Sequence, residues 1–161
     1  MGDNVAGPTP DSVTPEARTA HVQALMNRLT SASPIYNMLC SDVRLESVER
    51  GIVTTHLKLS AAHVNSRGGL HGAVSAAIVD FVTGLCIASC DLRPSTGVSA
   101  DMHISYLSTA SVGDTLEIVA TAERVGGALA YATIRISKIN EADSTRKLVT
   151  LGQHTKYVKM A

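Results

Sequence analysis

The hydrophobic pattern changes rhythm several times along this 161-residue chain, and each rhythm predicts a different element. Between Glu16 and Leu29, apolar Val22, Leu25, Met26 and Leu29 recur at helical spacing, which predicts an amphipathic helix closed at Ser33-Pro34. From Tyr36 to Glu46 and from Gly51 to Leu59, Val, Leu and Ile alternate with polar residues on either side of Glu49-Arg50-Gly51. That alternation predicts a β-hairpin. A glycine-containing loop, 62–70, then leads into an almost unbroken apolar run from Gly72 to about Cys90, read as one long helix. After the turn cluster Asp91–Gly97 the period becomes two. The strands expected there are Val98–Leu107, Thr115–Arg124, Ala128–Ile139 and Lys147–Val158. The breaks between them are short, which favours antiparallel, meander-like pairing. The predicted fold class is α+β: a curved antiparallel β-sheet wrapped around one long central α-helix. Residues 1–16, rich in Gly, Pro, Thr, Asp and Ser, are expected to be disordered, with 17–161 forming one domain.

The apolar run is also long enough to cross a bilayer. It contains Ser75, Asp80, Thr83, Gly84 and Ser89, however, lacks flanking basic clusters, and precedes strands that need a covering layer. It therefore reads as a core helix and not as a membrane span. Charged residues make up only 17% of the chain, too few to coat a small domain easily, so association of copies is expected. The 14 basic and 14 acidic residues cancel, which offers no field for nucleic acid or anionic lipid. Aromatics at 3% argue against base-stacking or sugar-binding platforms. Cys40, Cys86 and Cys90 form no CxxC pair and read as reduced thiols, Cys86 and Cys90 packing on one helix face. Reduced thiols without a leader pattern point to a cytoplasmic protein, with the mitochondrion as the alternative. The six histidines fall into no metal-ligand spacing, so no metal is expected.

Within the apolar run Asp80 is the single charge. A carboxylate among Ile78, Val79, Phe81 and Val82 is costly without a partner or a task, and burial is expected to raise its pKa. At the other end, His71-Gly72 marks the start of the helix, where backbone N–H groups lack internal partners and can hold a developing oxyanion. Asn65 on the preceding loop offers a second donor, with His71 placed to fix the Asn65 amide or the loop backbone. Asp80 lies eight residues beyond Gly72, ~12 Å along a helix, whereas a base and an oxyanion donor must both reach one reacting group. Two antiparallel copies of the helix about a two-fold axis would bring Asp80 of one beside Gly72 of the other, so the composite site predicts a dimer.

The set Asn65…His71-Gly72…Asp80, with Thr96-Gly-Val-Ser99 through Tyr106-Leu and the ending Gly152-Gln-His-Thr-Lys156, resembles the hotdog-fold acyl-CoA thioesterases. The most similar branch is the PaaI-like one that includes the thioesterase superfamily member 2 type, and the likeness spans roughly Tyr36 to Lys159. It implies an acyl-CoA substrate, no cofactor beyond the coenzyme A that the substrate carries, and a homotetramer built from two hotdog dimers. Asp80 would act as general base or nucleophile, the Gly72 amide and Asn65 would form the oxyanion hole, His71 would orient Asn65, and Ser99 would position water. Tyr106 and Tyr157 would line the coenzyme A path. Arg124 before Gly126-Gly127, Lys156 and Arg93 would meet its phosphates, and Ile78, Val82 and Leu85 would wall the acyl pocket. Where the family often has His-Gly-Gly, this chain has His71-Gly72-Ala73, a change expected to alter packing or acyl-pocket shape without abolishing the chemistry. Two other readings stand beside hydrolysis: a hotdog enoyl-CoA hydratase or dehydratase, and a non-catalytic acyl-CoA-binding module.

Overall fold

The computed structural model describes residues 13–159. The segment expected to be disordered lies outside the described residues as far as residue 12, while Pro15 and Glu16 already belong to helix α1, Pro15–Ala32. The Thr14 hydroxyl accepts from the Ala17 N–H at 3.2 Å and Pro15 occupies the first turn, a favourable start that buries Val22, Leu25 and Met26 as expected. The sequence expectation fails at the next element. Residues 34–40 form a helix, α2 (Pro34–Cys40), and not the first part of a strand. Ser33 caps the Tyr36 N–H and Pro34 sits in the first turn, so the Ser-Pro pair opens a helix as well as closing one.

Strands β1 (Arg44–Glu49) and β2 (Ile52–Lys58) make the expected hairpin, turning through Gly51 at a φ of 80°. Helix α3 covers Gly72–Asp91, followed by β3 (Val98–Tyr106), β4 (Thr115–Val125), β5 (Leu129–Ile139) and β6 (Arg146–Tyr157). The six strands form one antiparallel sheet in the order β1-β2-β4-β5-β6-β3. Only β4-β5-β6 is a meander. The connection through α3 delivers β3 to the far edge, beyond β6, and the chain then returns to place β4 against β2.

Helix α3 passes the length and composition test for a membrane span, yet most of it is buried in this fold. Ile78, Val79, Val82, Leu85 and Cys86 are fully buried in one core with Leu57, Leu116, Ile118, Ile134 and Ile136. Burying a side chain of this size contributes about 1.5–3 kcal/mol, so the helix-sheet contact dominates the stability of the domain. The α1 residue Arg18, 5% exposed, donates to the carbonyls of Ser89 and Cys90 and so caps the C-terminal end of α3. Gly152 sets how closely α3 approaches: a methyl group there would stand 2.7 Å from Ile134 Cγ2 and 3.2 Å from Val79 Cγ2. Gly152→Ala is expected to cost about 1–3 kcal/mol by overpacking, read as a lower urea midpoint at unchanged slope.

Candidate active site

Asp80 lies at mid-helix, its side chain 31% exposed, and three other elements converge on it. Lys156 of β6, only 2% exposed, places Nζ 2.6 Å from Oδ1. Ser99, near the start of β3, approaches the same oxygen at 3.2 Å. From α2 the Tyr36 hydroxyl donates to Oδ2 at 2.6 Å. Behind Ser99 stands buried His154, with Nε2 2.9 Å from Ser99 Oγ and Nδ1 2.6 Å from Thr83 Oγ1. His154, Lys156 and Gly152 alternate along β6, so all three face α3.

This environment corrects the expected electrostatics of Asp80. Burial does push its pKa up, but hydrogen bonds from Lys156 and Tyr36 and the charge of Lys156 outweigh it. The carboxyl is held below its ordinary range and is ionised at neutral pH. The same burial, with the charge of Lys156, pushes the His154 imidazole down to about 4, so it is neutral at pH 7. A buried ion pair with added hydrogen bonds is an expensive arrangement to retain for packing alone.

At the N-terminus of α3 the loop is held by its own backbone. Asn65 Oδ1 accepts from the Arg67 and Gly69 N–H groups at 2.9 and 3.3 Å. Its Nδ2 is thereby left without a partner among the described residues. His71 Nδ1 accepts from the Ala73 N–H at 3.0 Å, so His71 caps the helix and does not orient Asn65, as had been expected. Asn65 is oriented by the Asx turn that it builds itself. With Ala73 capped and Val74 bonded to the His71 carbonyl, the Gly72 N–H has no partner among the described residues. The Tyr106 hydroxyl donates to the Gly72 carbonyl at 3.2 Å, placing that tyrosine at this end of the helix.

The remaining expectations divide. Gly126 and Tyr157 lie at one corner, where Leu129 pairs with Tyr157 and the Gly126 N–H donates to the Leu129 carbonyl, Gly127 following in the β4–β5 turn and Arg124 pairing with Tyr131 two residues further along β5. Tyr157 also pairs with Val98, next to Ser99. Lys156, expected at the entrance as a phosphate contact, is instead buried and paired with Asp80. Arg93 is held by Asp91, its Nε 2.9 Å from Oδ1. Ile78, Val82 and Leu85 are fully buried core residues and wall no open pocket in a single chain. Tyr36, His154 and Thr83 were not foreseen. The inward alternation of Gly152, His154 and Lys156 was a usable signal for His154, whereas Tyr36 lay in the misread helix.

An open cleft of about 710 Å³, bordered by Arg44, His56 and Lys58, shares no lining residue with this cluster. Buried charge and convergent hydrogen bonds mark the chemistry more directly than room does, so the Asp80 cluster is taken as the site.

The sequence profile of the thioesterase superfamily matches residues 67–144, which include Gly72, Asp80 and Ser99. Human acyl-coenzyme A thioesterase 13 is 31% identical over 140 residues, 87% of this chain and 96% of that protein. The crystal structure of zebra fish thioesterase superfamily member 2 superposes with a TM-score of 0.72 at 32% identity, covering 91% of this chain and 99% of that one. Thioesterase superfamily member 2 from Mus musculus gives 0.72 at 28% identity, covering 86% and 96%. In sequence over most of its length and in the fold of its sheet and helix, this chain belongs to the thioesterase superfamily.

Proposed function

We propose that this protein hydrolyses acyl-CoA thioesters to a carboxylic acid and free coenzyme A, using Asp80 as general base or nucleophile. The observation that carries the reading is an ionised carboxylate held by Lys156 and Tyr36 on the helix whose first N–H group is unpaired. In the base route, Asp80 takes a proton from a water positioned beside Ser99 as the water oxygen adds to the thioester carbonyl carbon. The carbonyl π pair moves to oxygen, where the Gly72 N–H and Asn65 Nδ2 receive it. Collapse re-forms the carbonyl and breaks the C–S bond, and the proton on Asp80 passes to sulfur. In the nucleophilic route an Asp80 oxygen adds instead, the C–S bond breaks to release coenzyme A as its thiolate, and water then cleaves the mixed anhydride to give the carboxylic acid and a protonated Asp80, whose proton passes to the thiolate.

Gly72 and Asp80 of one chain are ~12 Å apart along α3 and cannot serve one carbonyl, so the working unit is a dimer with sites shared between protomers. Two features support this reading. Strand β3 has β6 on one side and no strand on the other, and Val98, Tyr106 and Leu107 at that edge are more than half exposed. Pairing of dimers into a tetramer rests on the resemblance. Hydrolysis is preferred to hydration because Asn65 and Ser99 also match the thioesterase pattern beside His71 and Asp80. Incubation with graded saturated acyl-CoAs, aryl thioesters and an enoyl-CoA, followed by free-thiol detection, should give thiol from the saturated substrates. Hydration of the enoyl-CoA without thiol release would reverse the assignment.

A further inference from the structure

The two oxygens of Asp80 are unequally occupied. Oδ1 has Lys156 Nζ at 2.6 Å and Ser99 Oγ at 3.2 Å, with His154 Nε2 at 3.9 Å. Oδ2 has a single contact, the Tyr36 hydroxyl at 2.6 Å. A carboxylate offers about four acceptor directions, two on each oxygen. The less occupied oxygen, with an acceptor direction to spare, is therefore the one that Tyr36 holds. The tyrosine is itself fixed: its ring lies 5.0 Å from that of fully buried Phe81, tilted by 52°, and α2 is pinned at its start by the Ser33 cap. Tyr36 also lies well ahead of residues 67–144, the segment that matches the family profile, so this contact is supplied by an element outside that segment.

We propose that Tyr36 is a positioning residue of the active site, whose hydroxyl turns Oδ2 of Asp80 toward the reacting water or carbonyl while Lys156 and Ser99 hold Oδ1. The inference rests on the reading of Asp80 as the acting carboxylate. A phenol is suited to the task because it donates one hydrogen bond to the anion without bringing a charge that would neutralise it. Burial and the adjacent Asp80 push the Tyr36 pKa up, so the hydroxyl keeps its proton across the working range. The other titratable groups facing Asp80 are Cys40 from α2, pushed up to about 12 by burial and by Asp80, and His154 and Lys156 from β6. Asp101 of β3 bears on His154.

The test compares Tyr36→Phe, which keeps the ring and its packing, with Asp80→Asn in the full chain. For Tyr36→Phe the proposal expects kcat to fall roughly tenfold, the loss of one charge-assisted hydrogen bond, with KM within about twofold. Removing a donor that favours the ionised form raises the Asp80 pKa, so the acid limb of the kcat/KM profile moves to higher pH. Titration of the Asp80 carboxyl carbon by 13C NMR should show the same upward shift without relying on turnover. An unchanged kcat and pH profile in Tyr36→Phe, beside an inactive Asp80→Asn, overturns the role of Tyr36 and leaves Asp80 standing. Full activity in Asp80→Asn overturns the underlying reading, and the inference with it.

Discussion

Asp80→Asn should lower turnover by about a hundred- to ten-thousand-fold, the range over which a positioned base contributes, while coenzyme A still binds. The substitution preserves size and removes both basicity and charge. An amide has one acceptor oxygen and cannot take up Lys156, Ser99 and Tyr36 together, all of which donate to Asp80. It also leaves the Lys156 ammonium, 2% exposed, without its counter-charge. Thiol release on a saturated acyl-CoA, set beside calorimetric binding of coenzyme A, separates the readings. An enzyme loses kcat and retains binding, whereas a binding module would be little changed in the one property it has. Turnover within a few-fold of the parent would rule out this carboxylate as base or nucleophile.

The second large effect concerns the shared site. Gly72→Pro should reduce kcat by about a hundred- to a thousand-fold, because it removes the backbone N–H assigned to the oxyanion and leaves only Asn65 Nδ2. The backbone tolerates it. Gly72 is the first helical residue, where proline fits, and His71 before it has φ −73° and ψ 133°, the extended conformation that a following proline requires. A β-carbon there would meet the Tyr106 ring at 3.5 Å, an ordinary contact. Mixing Gly72→Pro with Asp80→Asn chains then becomes decisive. If each site takes Asp80 from one protomer and Gly72 from its partner, a hybrid dimer regains one intact site. An equal mixture should recover about a quarter of the parent activity. If both groups came from one chain, subunit exchange would restore nothing.

These outcomes bear on how much of the molecule its sequence discloses. Strand positions from Thr115 onward follow largely from alternation, because a strand with one buried face repeats its pattern along its length. Helix α3 was equally plain, since twenty residues with so little charge have few places to go. The short α2 was lost because seven residues give too few turns to separate a period of 3.6 from one of two. Its signal was the Ser33-Pro34 pair, read as a stop and serving also as a start. Asp80 and the unpaired Gly72 N–H were visible as chemistry without a local use, whereas Ser99 entered only through the family resemblance. Lys156 was placed at the surface because lysines seldom lie buried unless paired, and its partner stands far away in sequence. Tyr36 was hidden by the same misread segment, and with Lys156 placed at the surface both groups that keep Asp80 ionised despite burial were missed.

The order of the strands has a consequence for synthesis. Among the described residues β3 pairs with no strand but β6, the last of the six to be synthesised, and β6 also carries the ammonium that neutralises Asp80. A growing polypeptide must therefore keep an edge of backbone and an unmatched anion waiting until its final strand emerges. Sheet closure and charge compensation then arrive in a single event, so a chain arrested before Arg146 carries neither.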